Sequence, residues 1–211
     1  MTTLIIGGAR SGKSAYAESL LAALPPPRWY VATMQPWDEE CRARIAKHRR
    51  ARAGKGFETL ECSRALAALR LPRRGSALLE CLGNLAANEL YSAGSVREEE
   101  AVLTALLAGV AALEEQCEHL VIVSNEVCLG GEEYAGDTDA YLRVLAAAHR
   151  ALGQRAGRVC EVCAGRAVYY KGKRNLAAMA RMLCTEFGGV VLALTLVILS
   201  LFALYLPKCR K

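Results

Sequence analysis

The sequence predicts an α/β fold, a mostly parallel sheet with helices on both faces, followed by one almost wholly apolar C-terminal helix. Three observations carry that expectation. Leu4-Ile5-Ile6 reads as a short buried strand that runs straight into Gly7-Gly8-Ala9-Arg10-Ser11-Gly12-Lys13-Ser14. Apolar strand-like runs then alternate with longer helical stretches as far as residue 163, the order that builds parallel sheets. Last, residues 188–206 contain no charged side chain.

The opening stretch is the most informative. Residues 7–14 fit G-x-x-x-x-G-K-[ST] at every fixed position, the phosphate-binding loop of P-loop NTPase-like folds. Gly7, Gly8 and Gly12 permit backbone conformations closed to residues with a Cβ, so successive N–H groups can point at phosphate oxygens. Lys13 adds a positive charge for the β- and γ-phosphates, and the Ser14 hydroxyl is placed to hold Mg²⁺. A helix over residues 15–24 turns its positive N-terminal end to the same anion. The plain alternative, a glycine-rich turn with a coincidental Lys-Ser, does not account for strand, loop and helix arriving in the motif's own order.

The remaining elements follow in sequence. Pro25-Pro26-Pro27 breaks the first helix, and residues 28–33 form a second strand. A helix over residues 38–52 is closed by Gly54 and Gly56. Residues 57–61 alternate as a short strand, and 63–69 form a short helix ended by Pro72. Residues 76–82 are an apolar run carrying Glu80, the form of a central parallel strand. A long helix over 98–117 precedes a buried strand at 119–124 with Asn125-Glu126 at its end. Residues 138–156 are helical, and 158–163 read as the last strand. Ligands bind outside the carboxyl ends of such strands, where Ser14, Glu80 and Glu126 fall.

Charge is unevenly distributed. Residues 1–170 hold 20 Lys/Arg and 20 Asp/Glu, whereas 171–211 hold 7 Lys/Arg and one Glu, so the tail carries the whole net charge of +6. The excess flanks an apolar run, which argues against nucleic acid and for a membrane surface. About 20 apolar residues span a bilayer, so the expected organisation is a catalytic domain over residues 1–171, a basic juxtamembrane segment over 172–187 and a membrane helix over 188–206. The catalytic domain is then cytoplasmic and anchored to the cell membrane. The nine cysteines are scattered and follow no signal peptide, as expected of reduced thiols. Cys160 and Cys163 are spelled as a CxxC within a strand, where residues three apart face opposite ways, and no second pair completes a zinc site.

A second patch gathers Arg42, Arg44, Lys47, Arg49, Arg50, Arg52 and Lys55 around one imidazole, His48. By itself this reads first as a solvated basic helix, in which a lone histidine is an ordinary surface or packing residue. Cationic neighbours disfavour a protonated imidazole, leaving a lone pair for attack on phosphorus while the arginines stabilise phosphate charge.

Taken in order, the phosphate loop at 7–14, Tyr30-Val31-Ala32-Thr33, Arg44-Ile45-x-x-His48-Arg49, Glu58-Thr59-Leu60-Glu61, Leu78-Leu79-Glu80-Cys81-Leu82 followed by Asn88, and Ser124-Asn125-Glu126-Val127 carry a resemblance. The chain resembles the bifunctional adenosylcobinamide kinase / adenosylcobinamide-phosphate guanylyltransferase family of cobalamin biosynthesis over residues 1–171. The resemblance implies that His48 attacks the α-phosphate of GTP and carries GMP to adenosylcobinamide phosphate. It implies that residues 7–14 bind the nucleotide phosphates, with Lys13 catalytic. Ala32, Thr33, Met34, Arg49, Arg50, Ala51, Arg52, Glu61 and Glu80 would complete the GTP site, and Ser14 with Glu80 would hold Mg²⁺. The kinase half would phosphorylate adenosylcobinamide from ATP or GTP, and the subunits would form a homo-oligomer.

The chain departs from the family pattern at residues 128–132, at His149-Arg150, and at Gly165-Arg166-Ala167, where the family's closing proline is missing. Two other readings stay open on the residues alone: a P-loop kinase of another small metabolite, and a membrane-tethered nucleotide switch that transfers no group.

Overall fold

The computed structural model describes residues 1–36, 38–92, 95–127 and 137–172. The expected membrane helix at 188–206, nearly all of the basic segment before it, and the departure at 128–132 lie outside the described residues. Among the described residues no helix is long and apolar enough to cross a membrane.

The strands are β1 (Thr2–Gly7), β2 (Arg28–Ala32), β3 (Glu58–Glu61), β4 (Gly75–Glu80), β5 (Tyr91–Ser92), β6 (Ser95–Val96), β7 (Cys117–Asn125), β8 (Arg158–Cys163) and β9 (Arg166–Lys171). The α-helices are α1 (Lys13–Ala22), α2 (Glu39–Arg52), α3 (Leu82–Leu90), α4 (Glu99–Gln116) and α5 (Asp137–Arg155). Seven strands form one sheet in the order β3-β2-β4-β7-β1-β8-β9, and β5 with β6 makes a separate two-stranded hairpin. Within the large sheet every pairing is parallel except β8 with β9.

The alternation of each strand sorts its side chains between two cores. Leu4, Trp29, Val31, Ala77, Leu79, Leu120 and Ile122 face the side covered by α3, α4 and α5. Ile5, Tyr30, Leu78, Val121, Val123, Cys160 and Val162 face α1, which supplies Ala17 and Leu21. Helices therefore cover both faces, as the alternating pattern requires of a parallel sheet. Because β1, β4 and β7 are parallel neighbours, Gly7, Glu80 and Asn125 end along one edge.

Three sequence expectations need correction. Residues 63–69 contain only a single 3-10 turn, Leu66–Ala68, because Ala65 before it lies in the left-handed region at φ +50°. Helix α3 had no counterpart in the sequence reading. It starts directly from β4 with the Cys81 thiol as its N-cap acceptor and buries seven of its nine residues, so no usual capping residue marks where the strand gives way to the helix. Finally, β8 is not the last strand, since β9 returns antiparallel to it through Ala164 and Gly165, both at positive φ. Paired positive φ values are the backbone of a tight hairpin turn. Alanine there hides the turn from a sequence reading.

Leu79 is fully buried in the middle of β4. Leu79→Ala is expected to lower the unfolding free energy by about 2–5 kcal/mol, measured by denaturant titration of residues 1–172.

Candidate active site

The phosphate loop leaves β1 at Gly7 and enters α1 at Lys13. A Cβ at Gly7 would stand 2.5 Å from the Val162 carbonyl oxygen, and Gly12 sits at φ +91° with a Cβ position 3.1 Å from the Gly165 Cα. Both positions thus require glycine, for space at the first and for backbone conformation at the second. Gly165 N–H donates to the Ser11 carbonyl at 2.8 Å, and Glu126 N–H to the Gly7 carbonyl at 3.0 Å. The β8–β9 turn and the end of β7 therefore fix the two sides of the loop. Gly8, Ala9 and Arg10 lie at its accessible rim.

Lys13 is buried and folds back over the loop, its Nζ donating to the Gly8 carbonyl at 3.0 Å. Ser14 Oγ donates to Glu80 Oε1 at 2.5 Å. Burial, opposed by that hydrogen bond and reinforced by the nearby Glu18 carboxylate, pushes the Glu80 carboxyl up to about 7. Glu80 Oε2, Ser11 Oγ and Arg52 Nε are buried and find no hydrogen-bond partner among the described residues. Orphaned buried polar atoms are costly, and these three belong to the loop, its carboxylate and the arginine helix.

No group of three or more His, Cys, Asp or Glu that could hold a metal occurs among the described residues. One carboxylate and one hydroxyl suit Mg²⁺, which takes most of its ligands from water and phosphate. Glu80, with an orphaned oxygen beside the Ser14 hydroxyl, fits that donor set.

Helix α2 lies beside this edge. Asp38 caps it by accepting from Cys41 N–H at 2.6 Å, and that bond holds the Asp38 carboxyl below its ordinary value. Glu39 and Glu40 fill its first turn and Arg49, Arg50 and Arg52 its last, the distribution that suits the helix dipole. Arg52 is buried with its guanidinium 3.5 Å from the centroid of the Tyr30 ring. His48 precedes Arg52 by four residues and so shares its face of the helix; it is half-buried. Arg49 pairs with Glu61 at the end of β3. Both partners are more than half exposed, so the pair contributes roughly 0.2–1 kcal/mol. It borders two clefts, one of about 660 Å³ reaching Arg52, Phe57 and Thr59, the other of about 480 Å³ reaching Pro36, Arg42 and Ile45.

The structure thus brings Gly7, Gly12, Lys13, Ser14 and Glu80 together, and sets Arg49, Arg52 and Glu61 on a neighbouring wall. Other predicted residues are placed differently. Thr33 is fully buried, and its Oγ1 accepts from Cys81 N–H at 2.7 Å and donates to the Cys81 carbonyl at 2.8 Å. Its hydroxyl is committed to joining the ends of β2 and β4. Asn88 Nδ2 in turn donates to the Thr33 carbonyl at 2.8 Å. Ala32 and Met34 are half-buried beside it and Arg50 points to solvent. Ala51 lies on α2, with its side chain outside the described residues.

Sequence reasoning missed a charged cluster behind the loop. Glu18 is buried on α1 and pairs with Lys55 Nζ at 2.5 Å. Tyr30 is buried between Arg52 and the Glu80 and Glu18 carboxylates, and burial drives its hydroxyl well above the usual phenol range. Glu18 stands four residues after Ser14, on the same face of α1, and that spacing was the available signal. On α5, His149 Nε2 lies 2.7 Å from Ser124 Oγ, and burial there disfavours the charged imidazole. Of the CxxC spelling, Cys160 is buried and Cys163 exposed, as the strand alternation requires.

A parallel sheet with a phosphate loop on its first strand and a carboxylate at the tip of β4 defines a P-loop nucleotide-binding protein. The family model described as cobinamide kinase / cobinamide phosphate guanyltransferase matches residues 3–169, and the chain belongs to that family. The bifunctional adenosylcobalamin biosynthesis protein CobP of Pseudomonas aeruginosa is 36% identical over 179 residues, which cover 82% of this chain and 99% of that protein. The corresponding CobU proteins of Salmonella typhimurium and Escherichia coli are 34% and 32% identical over 142 residues, each covering 62% of this chain and 77% of the relative. Among solved structures, the flagellar accessory protein FlaH of Methanocaldococcus jannaschii aligns over 81% of this chain and 78% of its own at 10% identity, with a TM-score of 0.39.

Two outcomes follow from this geometry. Gly12→Ala should weaken binding of a GTP analogue about tenfold or more, measured by calorimetry, because it strains the left-handed position and crowds Gly165. The Glu80 carboxyl titrates near 7 when folded and near 4.3 when unfolded. Its contribution to the stability of the nucleotide-free protein is therefore full below pH 4 and is lost as pH rises through 7. Glu80→Gln should flatten that decline in thermal-melt series between pH 5 and 8.

Proposed function

We propose that this chain phosphorylates adenosylcobinamide and then transfers GMP from GTP to adenosylcobinamide phosphate through a GMP-histidine, giving adenosylcobinamide-GDP in cobalamin biosynthesis. The observation that carries the reading is the set of orphaned polar atoms, Ser11 Oγ, Arg52 Nε and Glu80 Oε2, around an intact phosphate loop. These atoms await a polyphosphate and its counter-ion, and family membership supplies the two reactions.

In the kinase step the aminopropanol hydroxyl oxygen of adenosylcobinamide attacks the γ-phosphorus of ATP or GTP. Its proton is released and the nucleoside diphosphate leaves. Lys13 and the loop N–H groups hold the phosphates and neutralise charge, which is most of what a protein contributes to phosphoryl transfer. Mg²⁺, held by Ser14 and Glu80, would neutralise charge on the phosphate oxygens.

In the transferase step an imidazole nitrogen of His48 attacks the α-phosphorus of GTP. A phosphorus–nitrogen bond forms, the bond to the bridging oxygen breaks, and pyrophosphate leaves. A phosphate oxygen of adenosylcobinamide phosphate then attacks the same phosphorus, forming the pyrophosphate link of the product and freeing His48. Arg49 and Arg52 stabilise charge in both halves, and Glu61 keeps Arg49 aimed at the cleft. Ala32, Met34, Arg50 and Ala51 complete the nucleotide's surroundings, while Thr33 acts by fixing the strand ends. Separately, the apolar run at 188–206 between basic residues would anchor the enzyme to a membrane; that reading fails if high salt alone extracts the full chain.

The test of the two-step reading separates the activities. His48→Ala should abolish GMP transfer while retaining ATP-dependent phosphorylation of adenosylcobinamide, and Lys13→Ala should lower both by roughly 100-fold or more. Guanylyl transfer surviving in His48→Ala would remove the covalent mechanism.

A further inference from the structure

Helix α2 is held in place by an unusual set of contacts. Among its described side chains only Arg52 is buried, so these side chains form no buried apolar face of the kind that usually fixes a helix on its sheet. Its attachment is made by polar contacts around its C-terminal end. Arg49 reaches Glu61 on β3 and Arg52 covers Tyr30 on β2. Lys55, three residues beyond the helix end, donates its backbone N–H to the Arg52 carbonyl at 3.0 Å and places its Nζ 2.5 Å from Glu18 Oε2 on α1.

These contacts differ in their environments. The Arg49–Glu61 pair is open to water and therefore screened. The side chain of Glu18 is only 6% exposed while that of Lys55 is 43% exposed. A buried carboxylate meets a cation that reaches it from the surface, and breaking such a pair leaves an uncompensated buried charge. Helix α1 is also the helix that begins at Lys13 and Ser14, and Glu18 stands one turn beyond Ser14.

We propose that the Lys55–Glu18 ion pair is a positioning clasp that registers the end of α2, and with it His48, against the phosphate loop, and so serves GMP transfer to histidine rather than phosphoryl transfer to the corrinoid. The inference rests on the reading of His48 as the GMP carrier. Lys55 touches no reacting group; it acts through α2. Phosphoryl transfer uses Lys13, Ser14 and Glu80, whose hydrogen bonds to the loop and to one another do not run through α2; the clasp reaches them only through the charge of Glu18 beside Glu80, so phosphoryl transfer should depend on it far less than GMP transfer does.

The test compares Lys55→Met and Lys55→Arg with the unaltered full chain by three readouts. These are amide hydrogen exchange over residues 45–53, the single-turnover rate of acid-labile label transfer from α-labelled GTP to protein, and the rate of adenosylcobinamide phosphorylation. Lys55→Met should speed exchange at the end of α2 and slow labelling by roughly 10- to 100-fold, the cost of a misplaced reacting group. Phosphorylation should fall by less than about threefold, and Lys55→Arg should restore exchange and labelling. The clasp is overturned if Lys55→Met leaves exchange and labelling as they were, if phosphorylation falls in step with labelling, or if Lys55→Arg restores nothing. Absence of label in the unaltered chain would instead remove the GMP-histidine reading, and the exchange comparison would still decide whether Lys55 holds α2.

Discussion

The hydrogen bond from Ser14 to Glu80 is the contact on which the site depends. It joins the first turn of α1 to the tip of β4, two elements separated by 66 residues in sequence. It can form because β7 lies between β1 and β4 and all three run parallel, so Glu80 ends level with Ile5, two residues before the loop leaves β1 at Gly7, on the same edge of the sheet. Topology therefore delivers a hydroxyl and a carboxylate to one point beside a loop of inward-facing N–H groups. Burial there pushes the Glu80 carboxyl up to about 7 and leaves its second oxygen without a hydrogen-bond partner among the described residues.

Around that point the fold divides its work between a rigid part and a lightly attached one. The loop is braced by the β8–β9 turn through Gly165 and by the end of β7 through Glu126, and its helix packs into the core through Ala17 and Leu21. Helix α2, carrying the histidine and arginines, instead meets the domain through charged and aromatic contacts at one end. Such an arrangement lets one phosphate site serve two reactions. On the proposed reading the loop holds polyphosphate in both, whereas only the reaction at the α-phosphate calls for α2 to be brought to register.

Most of this was legible in the sequence where a local pattern carries its own chemistry. The phosphate loop, Glu80 at a strand end and the dipole-matched charges of α2 are written in consecutive or helically spaced residues. What was not legible depends on partners distant in sequence. The commitment of Thr33 to Cys81, the pairing of Glu18 with Lys55 and the stacking of Arg52 on Tyr30 arise only when β2, β4 and α1 are brought together. Helix α3 escaped notice because it runs straight on from β4 with a cysteine where a usual capping residue would mark its start, and β9 because its turn places an alanine where glycine or asparagine usually marks the bend. Thr33 also shows that a residue at the right address can serve the scaffold rather than the ligand.

In the proposed mechanism His48 becomes the covalent carrier of GMP on a domain whose phosphate loop also serves the kinase step. The most direct test is to incubate the protein with GTP and Mg²⁺, quench in base, and map the adduct by peptide mass spectrometry with phosphorus NMR of the intact sample. A single phosphoramidate, located on His48 and discharged by adenosylcobinamide phosphate, is the expected result. A GMP adduct on another residue, or none on a protein that binds GTP and phosphorylates adenosylcobinamide, would contradict it.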